Sequence, residues 1–281
     1  MKEYQPLNTQ THQFDFQSYH TQIEMDKMFD QKEFYKVDYF LTIYKELDQG
    51  EWRKHYLEKT LYGIKAIDYP IRIIVIHDYD ASQHLLDFVK SILPDAIFKK
   101  RSIVPNQLQK YLSCEWGLNQ SYNESDADFV CFNHSDDIPF ANRVDVQIQS
   151  LLTNPKAVLS LASQYISINR QTRQLGFHEV QRRGSPFFSC PSSFMWNKKL
   201  LPKIEEKWNQ WIDLRTCWDL AIILEMLQQY EVVAVHLPLF IYNFRGLFLQ
   251  PEDQLKADQE FFQYCQKYNL CQNKEHFKIY P

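Results

Sequence analysis

Three short apolar runs constrain this chain more than any other feature, because each one stops abruptly on a polar cluster. The segment Val37-Asp38-Tyr39-Phe40-Leu41-Thr42-Ile43 leads into Thr42 to Glu46. The segment Ile71 to Ile76 leads into His77 to Ser82, and Asp128 to Asn133 leads into His134 to Asp137. Apolar runs of this length, bounded by polar residues, predict buried strands. Helical spacing separates them. Trp52, Tyr56, Leu57, Thr60 and Leu61 share one face, and Leu85, Leu86, Val89 and Ile92 share another before Pro94 stops the helix. A further short strand is predicted near Ala96 to Phe98 and a helix over 107–121. Strands alternating with helices give an α/β unit with a parallel sheet, right-handed connections, and a ligand site at the carboxyl ends of the strands. The three polar clusters converge at that edge.

Beyond the acidic run, Pro139 is read as opening a helix on which Val144, Ile148, Leu151 and Leu152 share a face, and Asn154-Pro155 ends it. A strand is predicted over Ala157 to Ile168 and a loop over 170–190. A helix follows over Thr216 to Tyr230, then a strand over Val232 to Val235, with Pro238 to Arg245 leading into a loop. The domain reading is an N-terminal extension over 1–34, one α/β domain over 35–250, and a helical tail over 251–281 packed on it.

The cluster His134-Ser135-Asp136-Asp137 is electrostatically awkward. Adjacent carboxylates at the end of a buried strand raise each other's pKa unless a cation sits beside them. Glycine is scarce, with six residues at 50, 63, 117, 176, 184 and 246, so neither a GxxxxGK[ST] loop nor a GxGxxG turn exists. A nucleotide held here therefore needs its diphosphate bound through a metal rather than through a glycine cradle. The net charge of -4 gives no electrostatic case for nucleic acid. The six cysteines are scattered without a CxxC pair, and a chain of this length needs no disulfide staples, so a reducing cytoplasm is the expected compartment. No window approaches the ~20 apolar residues of a membrane span, so any membrane association is expected to be peripheral.

The order of these elements resembles the GT-A glycosyltransferases of the family 2 type over about residues 36–248. The resemblance is carried by Thr42-Ile43-Tyr44-Lys45-Glu46 at the end of the first strand, His77-Asp78-Tyr79-Asp80 at the second, and His134-Ser135-Asp136-Asp137 in place of the family's Asp-x-Asp motif. Pro139, Arg143, Gln147, Asn154 and Pro155 follow in family order. So do Ser192-Ser193-Phe194-Met195-Trp196, Trp218-Asp219 and Tyr242 to Arg245. His134 and His77 stand where the family carries acids.

The resemblance implies a mixed, mostly parallel, Rossmann-like sheet flanked by helices. It implies transfer of a sugar from a nucleotide-diphosphate donor to a hydroxyl, with inversion, in glycan or polysaccharide assembly on a lipid-linked or protein-linked acceptor. A UDP-sugar is favoured, because Asp78 at a strand end can accept from a uracil-type imide N–H. Thr42, Tyr44 and Glu46 would frame the base, and Arg245 would reach the diphosphate. Asp136, Asp137 and His134 would hold Mn²⁺ or Mg²⁺, with Asp136 carrying most of the binding; imidazole suits Mn²⁺ better than Mg²⁺. Asp219 would be the base that takes the acceptor's proton. A capping role for Asp219 in Thr216-Cys217-Trp218-Asp219 is the competing reading. The alternatives to a glycosyltransferase are a catalytically silent sugar-nucleotide-binding module and, less favoured, a nucleotidyltransferase.

Overall fold

The chain divides into two units, Met1–Phe34 and Tyr35–Pro281. The computed structural model describes residues 34–43, 51–78, 80–100, 120–168, 171–175, 190–204, 218–243, 259, 262–267 and 277–280. Strands β1 (Val37–Ile43), β2 (Arg72–His77), β3 (Ile97–Lys100) and β4 (Phe129–His134) are parallel and lie in the order β3-β2-β1-β4. Every residue of β1 is buried, as expected of a central parallel strand covered on both faces. Helices α1 (Glu51–Lys65), α2 (Gln83–Ile92) and α3 (Arg143–Thr153) supply Leu57, Leu61, Leu85, Val89, Val144 and Ile148 to one side of the sheet. The Ser82 hydroxyl caps α2 by accepting from the Leu85 N–H at 3.1 Å.

The opposite face is covered by α4 (Trp218–Gln229), through Ala221, Ile222, Ile223, Met226 and Leu227, and by Tyr122 and Tyr264. The result is a three-layer sandwich with helices on both faces of the sheet.

The rest of the sheet is mixed. β6 (Ala157–Ile168) and β9 (Glu231–Asn243) are parallel to each other, and β10 (Phe277–Tyr280) adds to β9 in parallel. Between β4 and β6 lies β8 (Phe194–Asn197), antiparallel to both, so β6 runs in the same direction as β4. Two short pieces lie off this path: β5 (Ile138–Pro139) against β9, and β7 (Gln171–Leu175) against β6. The mixed, mostly parallel sheet flanked by helices, of the GT-A and Rossmann-like kind, is the fold observed.

Several local expectations change. Pro139 does not open a helix. It pairs with Phe240, the Phe140 N–H bonds Leu239, and α3 starts only at Arg143. Leu152 is 41% exposed, because the buried face of α3 is turned toward Arg143 and Gln147. The strand predicted over Val232 to Val235 continues to Asn243. It accommodates Pro238 at a register shift, where His236 and Leu237 bulge outward and no ladder N–H is needed. Gln171–Leu175 forms a hairpin with β6 where a loop was predicted, and the tail contributes strand β10 in addition to helical residues 262–267.

Candidate functional site

Four strand ends meet at the carboxyl edge of the parallel half. Thr42 is in register with His134 on one side and with Ile76 on the other, and Ile43 is in register with His77. In the order β3-β2-β1-β4, connections leave β1 and β4 in opposite directions, which opens the crevice where such sheets bind ligands. Strand alternation puts Thr42 and His134 on the face of Phe40 and Phe132, under α4. Ile43, His77 and Asn133 point to the other face, toward α3.

The acidic run is a tight turn closed by the Asp137 N–H donating to the His134 carbonyl at 3.3 Å. It brings His134, Asp136 and Asp137 together, with one donor atom from each within 4.8 Å of the others. Asp137 is fully buried, while His134 and Asp136 are half-buried.

Ser192, in the 3₁₀ turn Pro191–Ser193, ties the cluster together. Its hydroxyl accepts from the His134 backbone N–H at 2.8 Å and donates to Asp137 Oδ2 at 2.6 Å. The hydroxyls of Thr42 and Ser135 are buried at the same edge with no hydrogen-bond partner among the described residues. A buried hydroxyl left unpaired costs about 1–3 kcal/mol, so both are sites where a polar ligand atom would be welcome.

The donor set suits a divalent cation: two carboxylates and an imidazole, close enough to share one ion, match a borderline-hard metal such as Mn²⁺. Next to the turn, Asp78 is nearly buried. Its backbone N–H donates to the Ile43 carbonyl at 3.2 Å, and its own carbonyl receives His77 Nδ1 at 2.8 Å. Because a carbonyl only accepts, Nδ1 of His77 carries the proton there.

Behind the turn lies a buried polar layer built around Arg143. Arg143, with no exposed surface, donates through Nη1 to Asn133 Oδ1 at 2.7 Å and to the Tyr39 hydroxyl at 3.0 Å. Its Nη2 donates to the Phe132 carbonyl at 2.8 Å and its Nε to Gln147 Oε1 at 3.0 Å. Burial, reinforced by Cys131 and Asp137, pushes the Tyr39 hydroxyl far above the usual tyrosine range even though Arg143 pulls it down. Gln147 passes the contact on, donating to the Ser193 carbonyl at 2.8 Å and the Ser160 carbonyl at 3.1 Å. The sequence signals for this layer were the place of Arg143 and Gln147, four residues apart on one helix, in the family order and the position of Asn133 just before the acidic run.

Of the remaining expected site residues, Asp219 is the second residue of α4. Because α4 leads back into the start of β9, its first turn lies toward the carboxyl edge; the Asp219 side chain is outside the described set. Tyr44, Glu46 and Arg245 also lie outside the described residues. Trp196 is 1% exposed and packs between Phe132, Phe194 and Tyr122.

No family description and no curated protein matches this sequence. Solved structures do match. The structure of Staphylococcus aureus TarS residues 1–349 superposes with a TM-score of 0.56 at 13% identity, covering 86% of this chain and 68% of that one. The same protein in complex with UDP-GlcNAc gives 0.55 at 13% identity, covering 86% and 69%; its UDP complex gives 0.52 at 13%, covering 79% and 63%. These likenesses establish a shared fold.

Proposed function

We propose that this chain is a glycosyltransferase that moves a sugar from a nucleoside diphosphate donor, with a UDP-sugar favoured, to a hydroxyl acceptor of a glycan, lipid-linked or protein-linked kind. The observation that carries this reading is the cluster of His134, Asp136 and Asp137 at the carboxyl edge, beside the buried hydroxyls of Thr42 and Ser135, which have no partner among the described residues. Support for the donor class comes from the shared fold, whose TarS examples were solved with UDP and with UDP-GlcNAc.

Asp136, Asp137 and His134 would hold Mn²⁺ or Mg²⁺. Such an ion offsets the charge that develops on the departing diphosphate. The protein's own residues supply the rest. Asp78 would accept from the base, the Thr42 hydroxyl would donate to the donor's ribose or phosphate, and Ser192 fixes the Asp137 carboxylate. Asp219 would accept the proton of the attacking hydroxyl as it displaces the nucleotide from the anomeric carbon with inversion; a positioned base is typically worth about 10²–10⁴-fold. Among the described residues no helix is long and apolar enough to cross a membrane.

Thermal unfolding with UDP, with and without Mn²⁺, tests the reading. At about 100 times its dissociation constant a ligand stabilises by about 2.7 kcal/mol. The Mn²⁺-dependent part of the shift should vanish in Asp136→Ala. If neither UDP nor UDP-GlcNAc shifts the wild type, the donor-site reading fails. Binding without UDP release from UDP-GlcNAc, unchanged by Asp219→Ala, would favour the non-catalytic binding module.

A further inference from the structure

Arg143 is an unusual group to find without exposed surface. None of its four hydrogen bonds to described residues ends on a carboxylate; the rings of Tyr39 and Phe240 lie 5.6 and 5.5 Å from the guanidinium carbon, and the buried Asp137 carboxylate acts on it only through space. Burying a cation without a directly hydrogen-bonded anion is costly, and an apolar side chain of similar volume is commonly as stable. What the guanidinium accomplishes that an apolar group would not is visible one bond further on. Because Arg143 only donates, it fixes the Asn133 amide with its oxygen inward, and the Tyr39 hydroxyl donates to the same oxygen at 3.0 Å. The Asn133 NH₂ group must then face the acidic turn. There it donates to the His134 carbonyl at 2.7 Å and to the Asp137 carbonyl at 2.8 Å, the two ends of the turn.

A second arm runs from Arg143 through Gln147 to the Ser193 carbonyl, next to the Ser192 hydroxyl that grips His134 and Asp137. The turn is thus clamped on its backbone from behind by Asn133 and on a side chain from the flank by Ser192. Both clamps are oriented by one guanidinium. Asp136, which lies between the clamped ends, is half-buried.

We infer that Arg143, acting through Asn133 and Tyr39, is the positioning residue of the acidic turn, holding its three donors in a cation-ready arrangement without touching the cation. This rests on the reading of the turn as a divalent-cation site. Groups that orient metal ligands from behind typically change metal affinity about 10–100-fold when altered.

The test measures Mn²⁺ binding by titration calorimetry and by the loss of the free-ion electron paramagnetic resonance signal, with no nucleotide and no turnover. Asn133→Asp keeps an acceptor for Arg143 and Tyr39 but replaces the NH₂ that holds the turn. It also adds negative charge near the cation, which by itself would strengthen binding, so a loss is diagnostic. The expected result is Mn²⁺ affinity at least tenfold weaker in the folded protein, with a lower metal-free melting temperature, because the new carboxylate oxygen faces two carbonyls that lose their donor. Tyr39→Phe is the shape-preserving second variant, removing one hydroxyl from the network, and should weaken Mn²⁺ about threefold. If wild type binds Mn²⁺ and the folded variants bind it equally well, the positioning role is overturned while the cation reading stands. If wild type binds no Mn²⁺ and Asp136→Ala changes nothing, the cation reading is overturned and this inference with it.

Discussion

Two adjacent serines give a controlled test of how the acidic turn is held. Ser192 and Ser193 are both fully buried in the same 3₁₀ turn, yet the Ser192 hydroxyl makes two hydrogen bonds while the Ser193 hydroxyl has no partner among the described residues. Ser192→Ala leaves the His134 N–H without its acceptor, at a cost of about 1–3 kcal/mol, and removes a donor from the buried Asp137 carboxylate, worth about 1.5–3 kcal/mol. The expected loss is therefore roughly 3–5 kcal/mol. For a unit of this size each kcal/mol moves the melting temperature by about 2–4 °C, so the transition should fall by about 6–20 °C. Ser193→Ala deletes only an unpaired hydroxyl and should stay within about 0.5 kcal/mol of wild type, since such a group contributes no net bond. Differential scanning calorimetry of both variants without ligand decides it. Equal destabilisation of the two variants, or a Ser192→Ala transition within about 2 °C of wild type, would refute the assignment of Ser192 as the clamp on Asp137.

Gly63 on α1 sits where a Cβ would lie 2.9 Å from the Pro139 carbonyl oxygen and 3.0 Å from its Cδ, just beyond the acidic turn. Gly63→Ala should therefore cost about 1–3 kcal/mol by overpacking, despite alanine's better helix propensity, as urea unfolding will show. At the opposite, amino edge of the sheet, Arg72 holds Asp38 through two hydrogen bonds at 2.6 and 2.9 Å and reaches Asp126 at 2.5 Å. The Arg72 and Lys36 bonds depress the Asp126 carboxyl to about 2 from its ordinary 3.8. The folded-state pKa lies below the unfolded one, so this contribution is present above about pH 4 and is lost as the pH falls toward about 2. The melting temperature should decline across that window, and less so in Arg72→Gln or in high salt, because the pair is exposed.

The parallel half of the sheet was largely legible because its signal is local. β1, β2 and β4 are short apolar runs whose ends coincide with the first polar residue, and their common direction follows from the helices between them. The acidic turn was legible for the same reason. Arg143 was not readable as buried, since its partners Tyr39, Asn133 and Gln147 come from three different elements and only the assembled fold brings them together. Leu152 erred on angle: at 100° per residue it lies about 80° from Val144, on the edge of a face that Gln147 and Arg143 extend on the other flank. Proline misled twice. Pro139 carries the same sequence signal as a first helical residue, and Pro238 the same signal as a strand terminator. Pairing with Phe240 and the bulge at His236 and Leu237 resolve both, and neither is visible without β9 in place.

The four residues of β8 have a consequence for how the molecule is made. Strands β4 and β6 never touch along the sheet; Phe194–Asn197 lies between them and is synthesised after both. Until it inserts, the growing chain carries the β1–β4 sheet and the β6–β7 hairpin, each with an unpaired edge open to other chains. The turn that introduces β8 also carries Ser192 to Asp137. One insertion therefore joins β4 to β6 and completes the clamp on the acidic turn together. A chain stalled before that step would be both adhesive and incomplete at its acidic turn, so aggregation and loss of ligand binding should arise from the same folding defect.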